Sequence, residues 1–206
     1  MGKLIAFGCS LTYGHGLPDC HIPPSFPGPN PSSMAWPSKL AALAKKECVN
    51  RATCGAGNFE IALSVISYQF EPSDVCFILW SYPDRDIILH DDQTVEQIGP
   101  WLDHKKFKAW NWLNPEQTKS TKFWFNVATI NNWLHFRNIP CYNLSVGLDY
   151  FGGVNPSWAE GIRFLSADIQ RHRVSNPRAL DGRHPGPQGH ENMAREVAQE
   201  IGWLSS

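Results

Sequence analysis

Several features that would settle the class of this chain at once are absent. Within its 206 residues no apolar run approaches the roughly 20 residues of a membrane-spanning helix. The apolar stretch near the start, Leu4-Ile5-Ala6-Phe7, is shorter than the apolar region of a secretory leader. It reads as a buried strand, and the chain as cytoplasmic. Charge of one sign is also absent: 18 basic residues stand against 19 acidic ones, for a formal net charge of -1. That leaves no electrostatic footprint for nucleic acid or an anionic membrane. No broad apolar flap or interfacial amphipathic helix points to a lipid surface. The six cysteines, Cys9, Cys20, Cys48, Cys54, Cys76 and Cys141, form no CxxC pair and have no histidine at zinc spacing, so no metal is expected. Cys48, Cys76 and Cys141 lie in or beside apolar runs and read as reduced core thiols. A phosphate-binding loop is missing as well. Gly8, Gly14 and Gly16 make neither Gly-x-Gly-x-x-Gly nor a P-loop, which sets aside a nucleotide-binding reading.

What is present is an alternation of short apolar runs and amphipathic segments. Strands are expected at Lys3 to Phe7, Cys48 to Ala52, Val75 to Trp80 and Ile139 to Ser145. Val75-Cys76-Phe77-Ile78-Leu79 is continuously apolar, as in a parallel strand buried on both faces. Helices are expected at Pro37 to Glu47, Asn58 to Phe70, Lys122 to Asn138, Trp158 to Arg171 and Gln188 to Trp203. The order implies one domain over residues 1–206, α/β in class, with a three-layer α/β/α, flavodoxin-like and mostly parallel sheet. Leu17 to Pro37 is rich in proline and reads as a long loop. The segment from about 82 to 120 has no clean period and reads as an insertion over the sheet edge or the site mouth. Ligands in such sheets bind beyond the carboxyl ends of the strands.

Ser10 stands at such an end, in Phe7-Gly8-Cys9-Ser10-Leu11-Thr12-Tyr13-Gly14. Far away in the chain is Asp181-Gly182-Arg183-His184-Pro185. A serine needs a base to become a nucleophile, and the base needs a carboxylate to orient it. Taken singly, Ser10 reads as a turn serine and Asp181 with His184 as a cap before the last helix. Together they read as a catalytic triad. Cys9 adjoins Ser10, but alternation along a strand lets only one of the two face a site. His15, His21, His104 and His190 read as surface or loop histidines, and no set of them has metal spacing.

These blocks, in this order, resemble the SGNH hydrolases, the superfamily that includes the GDSL esterases and lipases. Gly8-Cys9-Ser10-Leu11 corresponds to the family's nucleophile block. Asn50-Arg51-Ala52-Thr53-Cys54-Gly55 corresponds to the second, whose glycine N–H joins the oxyanion hole. Asp181 to Pro185 corresponds to Asp-x-x-His-Pro. The resemblance implies Ser10 as nucleophile, His184 as base, Asp181 as its orienting acid, and the Ser10 and Gly55 amides as oxyanion donors, with no cofactor. The departure lies in the third block, where the family has Gly-x-Asn-Asp. This chain reads Leu79-Trp80-Ser81-Tyr82-Pro83-Asp84-Arg85, without the asparagine. Ser81 or Tyr82 stands in roughly that place, and Ser81 is taken as the replacement donor. Tyr82, Arg85 and Arg183 are taken as substrate-binding.

Nine tryptophans bear on the substrate. Trp36, Trp80, Trp101, Trp110 and Trp112 include several in expected loops, and an aromatic floor in a polar cleft suits sugar rings. The expected activity is hydrolysis of a small acyl ester, such as an acetyl group, on a small molecule or carbohydrate. The competing reading is a binding or structural module of the same fold with weak or lost activity. The retention of Ser10, Asp181 and His184 together favours the enzyme.

Overall fold

Four of the short apolar runs become the four strands of one parallel sheet. The computed structural model describes residues 2–92, 94–146 and 156–204. Strands β1 (Leu4–Phe7), β4 (Cys48–Asn50), β5 (Val75–Trp80) and β8 (Cys141–Ser145) lie in the order β4-β1-β5-β8, all parallel. The two inner strands are buried along their whole length, which is why they carry unbroken apolar sequence. Register follows from pairing Leu4 with Val75 and Phe7 with Ile78, so the chain leaves β1 and β5 side by side at one edge.

Alternation along β5 assigns the two faces. The Phe77 ring meets Trp36 of α2 (Trp36–Leu43) and Trp203, which follows α7 (Pro187–Glu200). Trp80 points the other way, to Phe123 of α5 (Glu116–Phe136). Helices α2, α7 and α6 (Ile169–Ser175) pack together on one face, and α3 (Asn58–Ile66) packs with α5 on the other. On α5 the buried positions Phe123, Val127, Ile130 and Leu134 recur three or four residues apart, a stripe facing the sheet. A polar cluster in this core is satisfied there. The Trp80 indole N–H donates to Asn143 at 2.9 Å, and the Asn143 amide donates to Asn131 at 2.8 Å. Among the described residues no helix is long and apolar enough to cross a membrane.

The expected helices differ in their bounds from those that form: α3 ends at Ile66, not Phe70, and α7 at Glu200, not Trp203. Trp158 to Arg171 is not one helix. Gly161 adopts φ +89°, Phe164 bridges Asn143 in parallel alongside β8, and Leu165 donates to the Asn143 carbonyl at 2.8 Å. Only after Asp168, which caps the Gln170 amide at 2.8 Å, does α6 begin. The apolar residues Phe164 and Leu165 thus serve a sheet edge, and their spacing mimics a helix. The expected α2 also ends earlier, at Leu43, with Lys45 in the left-handed region at φ 53°.

The Leu17 to Pro37 stretch holds only a helical turn (Pro18–Cys20) and the paired short strands β2 (His21–Ile22) and β3 (Phe26–Pro27) before α2 opens. The segment from 82 to 120 is more ordered than its sequence suggests. It folds as an antiparallel hairpin of β6 (Asp86–Leu89) and β7 (Val95–Ile98), then α4 (His104–Leu113). Asp103 caps α4 by accepting from the Lys105 and Lys106 amides. The end of the segment merges into α5, which begins at Glu116, not Lys122.

Candidate active site

Beyond Phe7 the chain turns through Gly8 and enters the one-turn helix α1 (Ser10–Tyr13) with Cys9 as its N-cap. Cys9 and Ser10 are therefore not neighbours on a strand, contrary to the alternation expected from sequence. Cys9 is fully buried in the apolar core, whereas Ser10 opens the helix at the sheet edge. The Ser10 Oγ lies 2.9 Å from His184 Nε2, and His184 Nδ1 lies 2.5 Å from Asp181 Oδ2. An ionised carboxylate only accepts, so Nδ1 carries the proton and Nε2 is left to accept from the serine.

Local chemistry fixes this relay. Asp181 Oδ1 accepts from the amides of Arg183 at 2.9 Å and His184 at 3.1 Å, a compact turn that the Asp-x-x-His spacing makes possible. The Leu180 amide donates to the Gly16 carbonyl at 2.9 Å, tying the loop after β1 to the loop before α7. Gly16 has φ +83°, and a Cβ there would lie 2.7 Å from the Asp181 Cγ, so a side chain would push on the carboxylate. Burial pushes the Asp181 carboxyl up, but its hydrogen bonds from Arg183 and His184 outweigh that and hold it below the ordinary carboxylate range. Burial lowers His184; Asp181 opposes this, and His15 and Arg85 lower it further, so the imidazole rests neutral. The His15 ring packs on the His184 ring with centroids 4.6 Å apart. Among the described residues, His15, Asp181 and His184 are also the set whose ligand atoms gather within 4.8 Å. Two of the three are committed to the relay with Ser10, which explains the clustering without an ion.

Gly55, the other expected oxyanion donor, stands at φ +85° in the loop between β4 and α3. Among the described residues, neither its N–H nor that of Ser10 donates to an acceptor. Asn50 steadies this loop, donating to the Thr12 carbonyl at 2.7 Å and accepting from Ala52 at 3.1 Å.

No family model and no curated protein matches the chain in sequence. Solved structures match it in shape over nearly its whole length. A lipolytic protein of the G-D-S-L family from Desulfitobacterium hafniense DCB-2 superposes with a TM-score of 0.57 at 13% identity, covering 97% of this chain and 99% of that one. An acetyl xylan esterase from Butyrivibrio proteoclasticus gives 0.57 at 12% identity, covering 98% of this chain but only 65% of the longer partner. Phospholipase A1 from Streptomyces albidoflavus NA297 gives 0.52 at 12%, covering 97% and 99%. The chain has the SGNH-hydrolase fold.

Against that fold the third block is rebuilt. Asn58, which sequence reasoning passed over as an ordinary helix start, locks the exit of β5. It accepts from the Ser81 amide at 2.7 Å and donates to the Ser81 and Tyr82 carbonyls at 3.1 and 3.3 Å. The Ser81 side chain is buried, and its Oγ accepts from Arg85 at 3.4 Å. The Tyr82 hydroxyl accepts from Gln170 of α6. No hydrogen bond joins either hydroxyl to Ser10. Arg85 lies over the Tyr82 ring at 4.9 Å and the Trp101 ring at 5.2 Å. The Arg183 amide serves Asp181, and the residue is exposed.

The hairpin adds a residue that carries no signal in the sequence. Gln97 of β7 donates through Nε2 to the Cys54 carbonyl at 3.1 Å and to Glu60 at 3.0 Å. The Cys54 carbonyl and the Gly55 N–H belong to one planar peptide and point in opposite directions. Gln97 therefore aims and polarises that N–H from behind. Of the tryptophans expected near a cleft, Trp36 and Trp80 are wholly in the core, while Trp101 and Trp112 are exposed. Trp110 lines a cavity of about 340 Å³ with Phe59, Phe123, Phe125 and Arg85, and neither Ser10 nor His184 borders it. His190 is not a surface histidine: it is completely buried and accepts from the Trp36 amide at 3.1 Å, and burial pushes it down to about 3.

Proposed function

We propose that this chain is a serine esterase that cleaves a small acyl group, such as acetyl, from a small molecule or carbohydrate. The observation that carries the reading is the unbroken relay from Ser10 Oγ through His184 to Asp181, at 2.9 and 2.5 Å. His184 Nε2 takes the hydroxyl proton as Oγ attacks the ester carbonyl carbon. The resulting oxyanion is held by the N–H groups of Ser10 and Gly55, the latter oriented by Gln97. Asp181 remains ionised and balances the imidazolium. The tetrahedral centre collapses as His184 gives its proton to the departing alcohol oxygen, leaving an acyl group on Ser10. A water molecule then loses a proton to His184, attacks the acyl carbon, and releases the acid and a reprotonated serine.

The choice of a carbohydrate rests on Trp101 and Trp110, aromatic surfaces of the hairpin and α4 region near Arg85. Turnover of p-nitrophenyl acetate by the wild type and by Ser10→Ala tests the reading. Release of nitrophenol that disappears in the variant is expected. Turnover that survives in Ser10→Ala overturns the serine as nucleophile. A folded wild type that turns over neither this ester nor acetylated sugars favours a binding module.

A further inference from the structure

Arg85 is set apart from the two lysines of its cavity by what it does not bond. Lys119 and Lys122, which line the same cavity, are each paired with a carboxylate, Glu116 at 2.8 Å and Asp86 at 3.0 Å. No carboxylate oxygen among the described residues lies within 4.0 Å of the Arg85 guanidinium. One amino group donates to Ser81, while the buried Nε has no acceptor. A buried guanidinium N–H without an acceptor is costly, because it has given up water for nothing. Its two aromatic neighbours, Tyr82 and Trp101, fix the plane of the group without using its in-plane donors. That arrangement leaves the edge of the guanidinium for a partner with two acceptor oxygens, the geometry that arginine recognises best.

Arg85 also lies towards the relay. It donates to Ser81, which follows β5, the strand paired with the β1 that leads to Ser10, and its charge reaches His184. A second arginine points the same way. Arg173 of α6 lies one turn beyond Gln170, which binds the Tyr82 hydroxyl, and its Nε is likewise buried without an acceptor. Tyr82 thus has an unpaired guanidinium within electrostatic reach from each of two elements.

We propose that Arg85, supported by Arg173, binds an anionic group, a carboxylate or its equivalent, carried by the substrate close to the scissile ester. The inference rests on the esterase reading and narrows its substrate class to acidic esters, such as those of acidic sugars. Arg85 acts by holding the substrate, so its effect depends on substrate charge.

Two matched pairs of esters test this, each differing in one charge. Mono-4-nitrophenyl succinate against 4-nitrophenyl butyrate places the carboxylate on the acyl part; 4-acetoxybenzoate against its methyl ester places it on the alcohol part. In at least one pair, kcat/KM of the wild type for the anionic member is expected to exceed that for the neutral one by about tenfold or more, the range of a charged hydrogen bond. Arg85→Gln brings that ratio towards one, and Arg173→Gln lowers it less. Equal rates within both pairs, or an equal slowing of both members by Arg85→Gln, overturns the proposal. Ser10→Ala run alongside separates the two claims. If turnover disappears there while neither pair discriminates, the esterase reading stands and the anion site falls. Calorimetric titration of the same esters into Ser10→Ala reads the preference without turnover. Tighter binding of an anionic member, abolished by adding Arg85→Gln, is the expected result, and indistinguishable affinities for charged and neutral members contradict it.

Discussion

On one side of Ser10 the site is assembled from the two ends of the chain; on the other it is assembled from the segment that follows β5. The first side keeps the residue types and spacings of the SGNH pattern, and its parts hold one another: Asp181 orients His184, and Gly16 admits the close approach of Asp181. The second side lacks the asparagine of that pattern. It is held by Asn58 on Ser81 and by Gln97 on the Cys54–Gly55 peptide, with Arg85 against the Tyr82 and Trp101 rings. A relay tolerates few alternatives because each atom has a role in proton transfer. A wall that orients a backbone donor and grips a substrate can be rebuilt from different side chains.

Substitutions on the two sides should therefore differ in kind. The largest effect is expected in the relay: Ser10→Ala or His184→Ala lowers kcat by about 10⁴-fold or more, and Asp181→Asn by roughly 10³- to 10⁴-fold, measured as steady-state ester hydrolysis. If Asp181→Asn costs less than about tenfold, Asp181 does not set the tautomer of His184. The rebuilt side gives a smaller loss. Gln97→Ala is expected to lower kcat by about 10- to 100-fold, within the worth of one oxyanion donor, with KM little changed. A rise in KM at constant kcat would instead make Gln97 a substrate contact.

Smaller still is the influence of His15, read in the pH profile. With His184 as the proposed base, kcat/KM is expected to fall on the acid side as that ring protonates, below its ordinary value because burial, His15 and Arg85 lower it. Removing a group that disfavours the imidazolium raises its pKa. His15→Asn should move the acid limb upward, by less than about one pH unit; an unchanged limb removes His15 from the electrostatics of the base. Least of all is expected at Cys9, whose thiol lies in the core. Cys9→Ala should leave turnover within about twofold while lowering thermal stability by about 1 kcal/mol. A large loss of activity with intact stability would return attention to the thiol.

The same division governs what could be read in the sequence. The inner strands β1 and β5 were the most legible, because both of their faces are covered, which forces continuous apolar runs. The relay was legible because Ser10 and Asp181-x-x-His184 occupy turns whose local geometry fixes residue type and spacing. Phe164 and Leu165 misled because a single bridge beside β8 leaves no alternation to detect. The hairpin of β6 and β7 was hidden because much of it faces solvent and only Ile98 among its strand residues is buried, so no apolar period marks it. Gln97 and Asn58 act by hydrogen bonds to backbone atoms distant in sequence, and a polar residue bonded to a peptide carries no signature of its partner. His190 looked like a surface histidine because only its tertiary contact with the Trp36 amide explains its burial.

Intact-mass and peptide mass spectrometry after reaction with a fluorophosphonate tests the central claim most directly, because that reagent labels a serine only when a neighbouring base activates it. A single phosphonyl adduct on Ser10 is predicted, absent in Ser10→Ala and strongly slowed in His184→Ala. An unlabelled protein that is folded, or an adduct formed at the same rate without His184, would contradict the relay as a catalytic device.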